Sequence, residues 1–134
     1  MLKGNELQNA DYISMSTAWA AGGIYSTVQD LTLWNEALAH GKLLNSDSTK
    51  RMCSVYPETL YQGMHCGYAV VLAERFGHQL QYHGGGISGF QTVLQRYPEE
   101  GLVIAVMANV ESDEDAAGTI GDGLAQISFS AERH

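Results

Sequence analysis

Leu80-Gln81-Tyr82-His83-Gly84-Gly85-Gly86-Ile87-Ser88-Gly89-Phe90-Gln91-Thr92-Val93-Leu94-Gln95-Arg96-Tyr97 decides how this chain is read. Leu80 and Tyr82 form one apolar face up to a run of three glycines. From Phe90 a two-residue period resumes, with Phe90, Thr92 and Leu94 on one side and Gln91, Val93 and Gln95 on the other. That pattern predicts strands flanking the glycines. Upstream, Tyr68, Val70 and Leu72 alternate with Ala69 and Val71, and Gly77 marks a turn. Downstream, Pro98-Glu99-Glu100-Gly101 makes a compact hairpin connection into Leu102 to Ala108, an apolar run that fits a strand covered on both faces. The expectation is an antiparallel sheet of about three to four strands over residues 66–109.

Helices flank it. Thr27 is an N-cap with Asp30 at the N3 position, Leu31, Trp34 and Leu38 recur at helical spacing, and Gly41 ends the run. Trp34 and Tyr68 are both expected in the core. A shorter helix starts near Ser46 and turns Met52 and Cys53 inward, and residues 54–65 read as loop. Ser112 caps a last helix over 112–130, with Asp113, Glu114 and Asp115 at its positive end and Ala116, Ile120, Leu124 and Ile127 as its buried stripe. Gly118, Gly121 and Gly123 each cost about 1 kcal/mol there, so packing must hold this helix. Residues 1–21 form a weakly patterned, extended lead-in anchored by Tyr12, Ile13, Met15 and Trp19. The fold class is α+β, in one partial domain over 1–134 with a helical part at 22–56.

Composition narrows the partners. Seven Lys+Arg against fifteen Asp+Glu give a formal charge of -8, with the cations scattered, so the chain has no basic surface for nucleic acid. The longest apolar run falls far short of the ~20 residues that span a bilayer, and the N-terminal residues lack the apolar region of a signal peptide. The reading is a soluble chain of unspecified compartment. Cys53 and Cys66 read as ordinary thiols, a disulfide being the alternative, and His65 adds too few donors for a metal site.

Six elements then occur in one order between about residues 18 and 127. They are Gly22-Gly23-Ile24-Tyr25-Ser26-Thr27 with Asp30-Leu31, Gly41-Lys42-Leu43-Leu44, Gly67-Tyr68, His83-Gly84-Gly85-Gly86 with Gly89-Phe90, Arg96-Tyr97-Pro98, and Val106-Met107-Ala108-Asn109. Together they resemble the C-terminal portion of the serine beta-lactamase and penicillin-binding-protein-like hydrolases, in the esterase and D-aminopeptidase-like branch.

The resemblance implies a beta-lactamase-like fold and an acyl-enzyme reaction on an ester, amide or peptide, without cofactor or metal. A serine in a Ser-x-x-Lys turn attacks, a tyrosine or serine of a second motif assists, and a Lys-Thr-Gly or His-Gly-Gly strand borders the pocket. His83-Gly84-Gly85 matches that third element. His83 would supply a hydrogen bond or positive charge, and the Gly86 amide a second oxyanion donor. Gly84 and Gly85 would leave room for a substrate carbonyl, with Tyr25 and Ser88 near the substrate. Read without the resemblance, His83 is a polar residue at a strand end and Ser88 a turn residue.

The first two motifs are absent. Lys42 and Lys50 follow Ala39 and Asp47 at the required spacing, Lys3 has nothing there, and no tyrosine precedes an asparagine by two. The family's N-terminal segment supplies the first strands of the same sheet as well as the nucleophile. The chain therefore reads as a C-terminal hydrolase fragment that is inactive alone, or else as a naturally truncated scaffold or binding module. Either reading leaves a sheet edge uncovered, so the expectation is a homo-oligomer or association with the missing segment.

Overall fold

The computed structural model describes residues 2–3, 6–56, 64–112 and 115–131. In chain order the elements are β1 (Leu2–Lys3), β2 (Glu6–Leu7), α1 (Met15–Gly22), α2 (Val28–Ala39), α3 (Ser46–Met52), β3 (His65–Cys66), β4 (Val71–Arg75), β5 (His78–Ile87), β6 (Phe90–Tyr97), β7 (Leu102–Ala108) and α4 (Ala116–Ala131). β1 and β2 pair with each other, and the other strands form one antiparallel sheet in the order β3-β4-β5-β6-β7. The fold is α+β as expected, with five strands where three to four were foreseen.

Local chemistry explains most boundaries. The Thr27 hydroxyl accepts from the Asp30 amide at 3.1 Å and donates to the Asp30 carboxylate at 3.0 Å, which fixes the start of α2. Asn45 caps α3 through the Ser48 amide at 2.8 Å. Phe76 and Gly77, at φ 56 and 83, form the type I′ turn between β4 and β5, its register closed by Arg75 opposite His78. β6 and β7 occupy the predicted residues and are joined by the Pro98–Gly101 hairpin.

The core lies between the sheet and α4. Leu80, Tyr97 and Ile104 from the strands meet Ala125 and Phe129 from the helix, with Ala73, Tyr82, Leu102 and Val106 packed around them. Phe129 stands edge-on to Tyr97 at 5.0 Å and stacks with His78 at 3.9 Å, ring centre to ring centre. His78 also pairs with Glu100. Beside this cluster, Asp122 pairs with Arg75 and accepts from the buried Gln95 amide at 2.7 Å. Burial works against the Arg75 charge, but the hydrogen bond and charge of Asp122 outweigh it and raise the guanidinium pKa.

Several expectations are corrected. α4 buries Ala117, Gly118, Gly121, Ala125 and Phe129, whereas Ile120, Leu124 and Ile127 are 51%, 44% and 68% exposed. The small residues face the sheet because Gln95 stands directly beneath Gly121, where a Cβ would lie 3.1 Å from the Gln95 amide. Asp115, rather than Ser112, caps the helix by accepting from the Gly118 amide at 2.9 Å, and Asp113 and Glu114 lie outside the described residues. Trp34 is half exposed, since α2 turns Asn35 and Leu38 inward instead. Tyr68 is exposed in the turn between β3 and β4, tilted against Tyr56 at 5.1 Å. The lead-in is not extended throughout: it holds the β1–β2 hairpin and α1, and Tyr12, Met15 and Trp19 face solvent while Ala18 is buried. Within the 54–65 stretch, residues 57–63 lie outside the described residues and His65 begins β3.

Candidate functional site

The glycine run does not terminate β5 but continues it. β5 spans ten residues and pairs with β6 over Gln81 to Ile87, whereas β4 pairs only with His78 to Tyr82. From His83 to Ile87 the strand therefore has one edge in the ladder and, among the described residues, one edge with no strand partner. Two-residue turns close both ends, Arg75 opposite His78 and Ile87 opposite Phe90. Residues flanking such turns exchange hydrogen bonds, and the direction alternates along a strand. Both turns give one answer: residues 83, 85 and 87 address β6, while the N–H and C=O groups of Gly84 and Gly86 point to the bare edge.

The fold does not demand these glycines. A Cβ on Gly84, Gly85 or Gly86 would find its nearest neighbour at 3.5, 3.4 and 3.8 Å, ordinary contact distances, and none of the three has a positive φ. Gly89 differs, at φ 85 with Ala10 only 2.7 Å from a Cβ placed there, so turn geometry and packing both require it. The Gly89 amide donates to the Glu111 carboxylate at 3.0 Å, and Gln91 Nε2 donates to the Ser112 carbonyl at 2.9 Å. The loop after β7 thereby ties down the hairpin tip that follows the glycines.

His83 stands at the head of the run, exposed, on the sheet face opposite α4. Its Nδ1 lies 2.6 Å from the Gly84 carbonyl oxygen. Because a carbonyl only accepts, Nδ1 carries the proton, which leaves Nε2 as the outward nitrogen. One rung away, Gln81 Oε1 accepts from Arg96 at 3.4 Å and from the Cys53 thiol at 3.5 Å. Burial pushes the Cys53 thiol up, against a smaller opposing pull from Arg96, so Cys53 stays protonated at neutral pH. Sequence reasoning gave no signal for this row, because Cys53, Gln81 and Arg96 meet only through the sheet register.

The other predicted site residues fall into place unevenly. Gly22, at the end of α1, sits beside Ile87, where a Cβ would lie 3.5 Å from the Ile87 methyl group. The turn carrying Tyr25 thus leaves from the far end of the glycine strand, and Tyr25 is fully exposed at 101%. Ser88 is in the β5–β6 turn, and its Oγ is buried with no hydrogen-bond partner among the described residues. No base is bonded to it. Among the described residues no group of three or more His, Cys, Asp or Glu could hold a metal ion, and no helix is long and apolar enough to cross a membrane.

Comparison with known proteins places this geometry. The family model described as Beta-lactamase matches residues 2–126. No curated protein matches. The D-amino acid amidase from Ochrobactrum anthropi SV3, solved with D-phenylalanine, is similar at a TM-score of 0.71 and 21% identity, over 89% of this chain and 40% of that one. The octameric penicillin-binding protein homologue from Pyrococcus abyssi is similar at 0.67 and 18%, over 81% of this chain and 26% of that one. A D-stereospecific amidohydrolase from Streptomyces sp. is similar at 0.53 and 27%, over 63% and 25%. The chain spans between a quarter and two fifths of the length of these structures. With a family model matching nearly its whole length, the chain belongs to the beta-lactamase family.

Proposed function

We propose that this chain forms the strand-edge wall of a serine hydrolase site that cleaves an ester or amide through an acyl-enzyme. The observation that carries the reading is the bare edge from His83 to Ile87, lined by three glycines that neither packing nor backbone conformation requires. A substrate carbonyl approaching this edge meets main-chain groups without Cβ atoms in the way. The Gly86 N–H donates to the oxyanion as the tetrahedral intermediate forms. Gly84 and Gly85 line the acyl group, and the outward Nε2 of His83 serves the proton-transfer groups or a substrate carboxylate. Tyr25 and Ser88 lie toward the Ile87 end of the edge.

The nucleophile is not among these residues. None of the lysines has a serine three positions before it, and the Ser88 hydroxyl is buried without a base. The chain is thus read as the C-terminal portion of the catalytic domain, with Ser-x-x-Lys supplied by further polypeptide. The length of the similar structures supports that reading. Two of them are a D-amino acid amidase and a D-stereospecific amidohydrolase, which favours an amino-acid amide over a plain ester. The second reading, a noncatalytic scaffold, is favoured by the absence of the first two motifs.

The two readings separate in one experiment. Hydrolysis of D-phenylalanine amide and of a p-nitrophenyl ester is measured with this chain alone and with a family segment carrying Ser-x-x-Lys. The hydrolase reading expects turnover only in the mixture. Gly86→Pro deletes one edge-facing N–H while sparing the ladder to β6, and lowers kcat by about 10²–10³. No turnover in a mixture shown to form a complex leaves the scaffold.

A further inference from the structure

On the sheet face opposite α4, α2 and the β6–β7 hairpin enclose a groove of about 540 Å³, the size of a small-molecule site. Asn35, Glu36 and His40 line it from the helix, Arg96 from β6, and Leu102 and Val103 from the start of β7. None of them belongs to the bare edge of β5. Asn35 is only 4% exposed, yet its side-chain amide has no hydrogen-bond partner among the described residues. That amide is not one of the sealed polar atoms of the core, so it opens onto the groove it lines. A buried amide left so costs about 1–3 kcal/mol, and folding gains nothing in return.

The charges of the groove stand on opposite walls. Arg96 is half-buried, its hydrogen bond among the described residues is the 3.4 Å contact with Gln81, and no carboxylate there pairs with it. Glu36 shares the groove with Arg96 without forming an ion pair. His40 lies one turn after Glu36 on the same side of α2. Its Nδ1 is 2.8 Å from the Glu36 carbonyl oxygen, which only accepts, so Nδ1 carries the proton and Nε2 is left as an acceptor. The sheet wall therefore offers donors and the helix wall acceptors, with the Asn35 amide between them. The other face of the sheet shows the same three kinds of group satisfied by one another: Arg75 pairs with Asp122, and Asp122 accepts from the Gln95 amide. In the groove the guanidinium, the carboxylate and the amide are held apart.

We propose that this groove binds an α-amino acid in its zwitterionic form, with the carboxylate on Arg96 and the Asn35 amide, the ammonium on Glu36 and His40 Nε2, and an apolar side chain against Leu102 and Val103. The inference is independent of the catalytic reading. A guanidinium fork beside an amide matches both oxygens of a carboxylate, and a carboxylate beside an imidazole acceptor matches an ammonium. A simple anion would meet Glu36 and the chain's charge of -8, and a simple cation would meet Arg96. A molecule that carries both charges on one carbon satisfies both walls together. Specificity then comes from the mismatch each singly charged analogue suffers.

Titration of the isotope-labelled chain, followed by nuclear magnetic resonance, tests this with three probes: phenylalanine of either hand, phenylalanine amide, which lacks the carboxylate, and N-acetylphenylalanine, which lacks the ammonium. The proposal expects saturable shifts of the Asn35 side-chain amide with phenylalanine, and binding at least about tenfold weaker for each analogue, the loss of one charge-assisted hydrogen bond. Glu36→Gln, on the exposed side of α2 and so harmless to folding, weakens phenylalanine at least about tenfold while N-acetylphenylalanine binds as before or tighter. Arg96→Gln weakens both. Absence of any shift at Asn35 up to saturated phenylalanine overturns the proposal, as does a Glu36→Gln variant that binds phenylalanine unchanged. Shifts confined to Gly84 and Gly86 place the ligand on the bare edge and overturn it too.

Discussion

Among the described residues, two of the sheet's stretches of backbone without a strand partner, the upper half of β5 and the whole of β7, are opposites in all but their hydrogen-bonding groups. Along β5 the edge is five residues long, stripped of side chains by Gly84, Gly85 and Gly86, and open to water. Along β7 it is seven residues long and apolar. N–H and C=O groups without a strand partner invite company in both places. On the proposed reading the side chains decide its kind, a small carbonyl compound at the bare edge and a further strand at the apolar one.

The difference breaks most sharply if α4 is loosened from the sheet. Phe129 anchors the end of α4 against Tyr97 and His78, and Phe129→Ala removes a ring from the centre of the core. The expected loss is about 3–5 kcal/mol in urea unfolding. Retention of stability would mean that α4 is held elsewhere.

A smaller effect comes from pH. Tyr97 is wholly buried, its hydroxyl has no hydrogen-bond partner among the described residues, and burial with the nearby Asp122 charge raises its pKa. Cys53 is raised too, chiefly by burial. Both groups hold their protons more tightly in the folded chain than in the unfolded one. Their contribution is complete below the ordinary thiol and phenol values and is lost as pH rises past about 9–10. Tyr97→Phe, which deletes an unpaired polar atom, leaves stability at pH 7 unchanged or higher by about 1 kcal/mol and weakens the alkaline fall. A loss above 2 kcal/mol would reveal a partner for that hydroxyl.

The smallest change sharpens the comparison most. Gly84→Ala meets only ordinary contacts and replaces a flexible residue within a strand, so unfolding free energy moves by less than about 1 kcal/mol, upward if at all. Gly89→Ala, strained at its positive φ and pressed on Ala10, costs more. If Gly84→Ala unfolds the chain, the bare edge belongs to folding, and its link to substrate is lost.

Much of this architecture is legible where the cause is local. Thr27 and Asp30 announce α2 because a cap is made by neighbours three residues apart, and the alternation in Phe90 to Tyr97 announces β6 because a strand that buries one face must alternate. Legibility ends where distant residues decide. The α4 stripe reads as buried by size alone, but Gln95 beneath Gly121 and the Arg75–Asp122 pair draw the small-residue face onto the sheet. The lead-in conceals α1, whose alanines, glycine and displaced Trp19 at φ 39 give no apolar period. For the site, the residues from His83 to Gly86 are visible in sequence. That they lie on an open edge is not, because it depends on where β4 stops pairing.

The hairpin tip after the glycines is moored at its far side, Gly89 to Glu111 and Gln91 to Ser112, while the type I′ turn before β5 fixes the near side. Three consecutive residues with the greatest conformational freedom are thus strung between two anchors like a taut cord. Amide exchange at Gly84 and Gly86 is expected to be fast, as for edge groups that are solvent-accessible yet directionally fixed. On the proposed reading, a ligand settling on them would find its donors already aimed and give up little further entropy to order them, so that a stretch without side chains could still be selective.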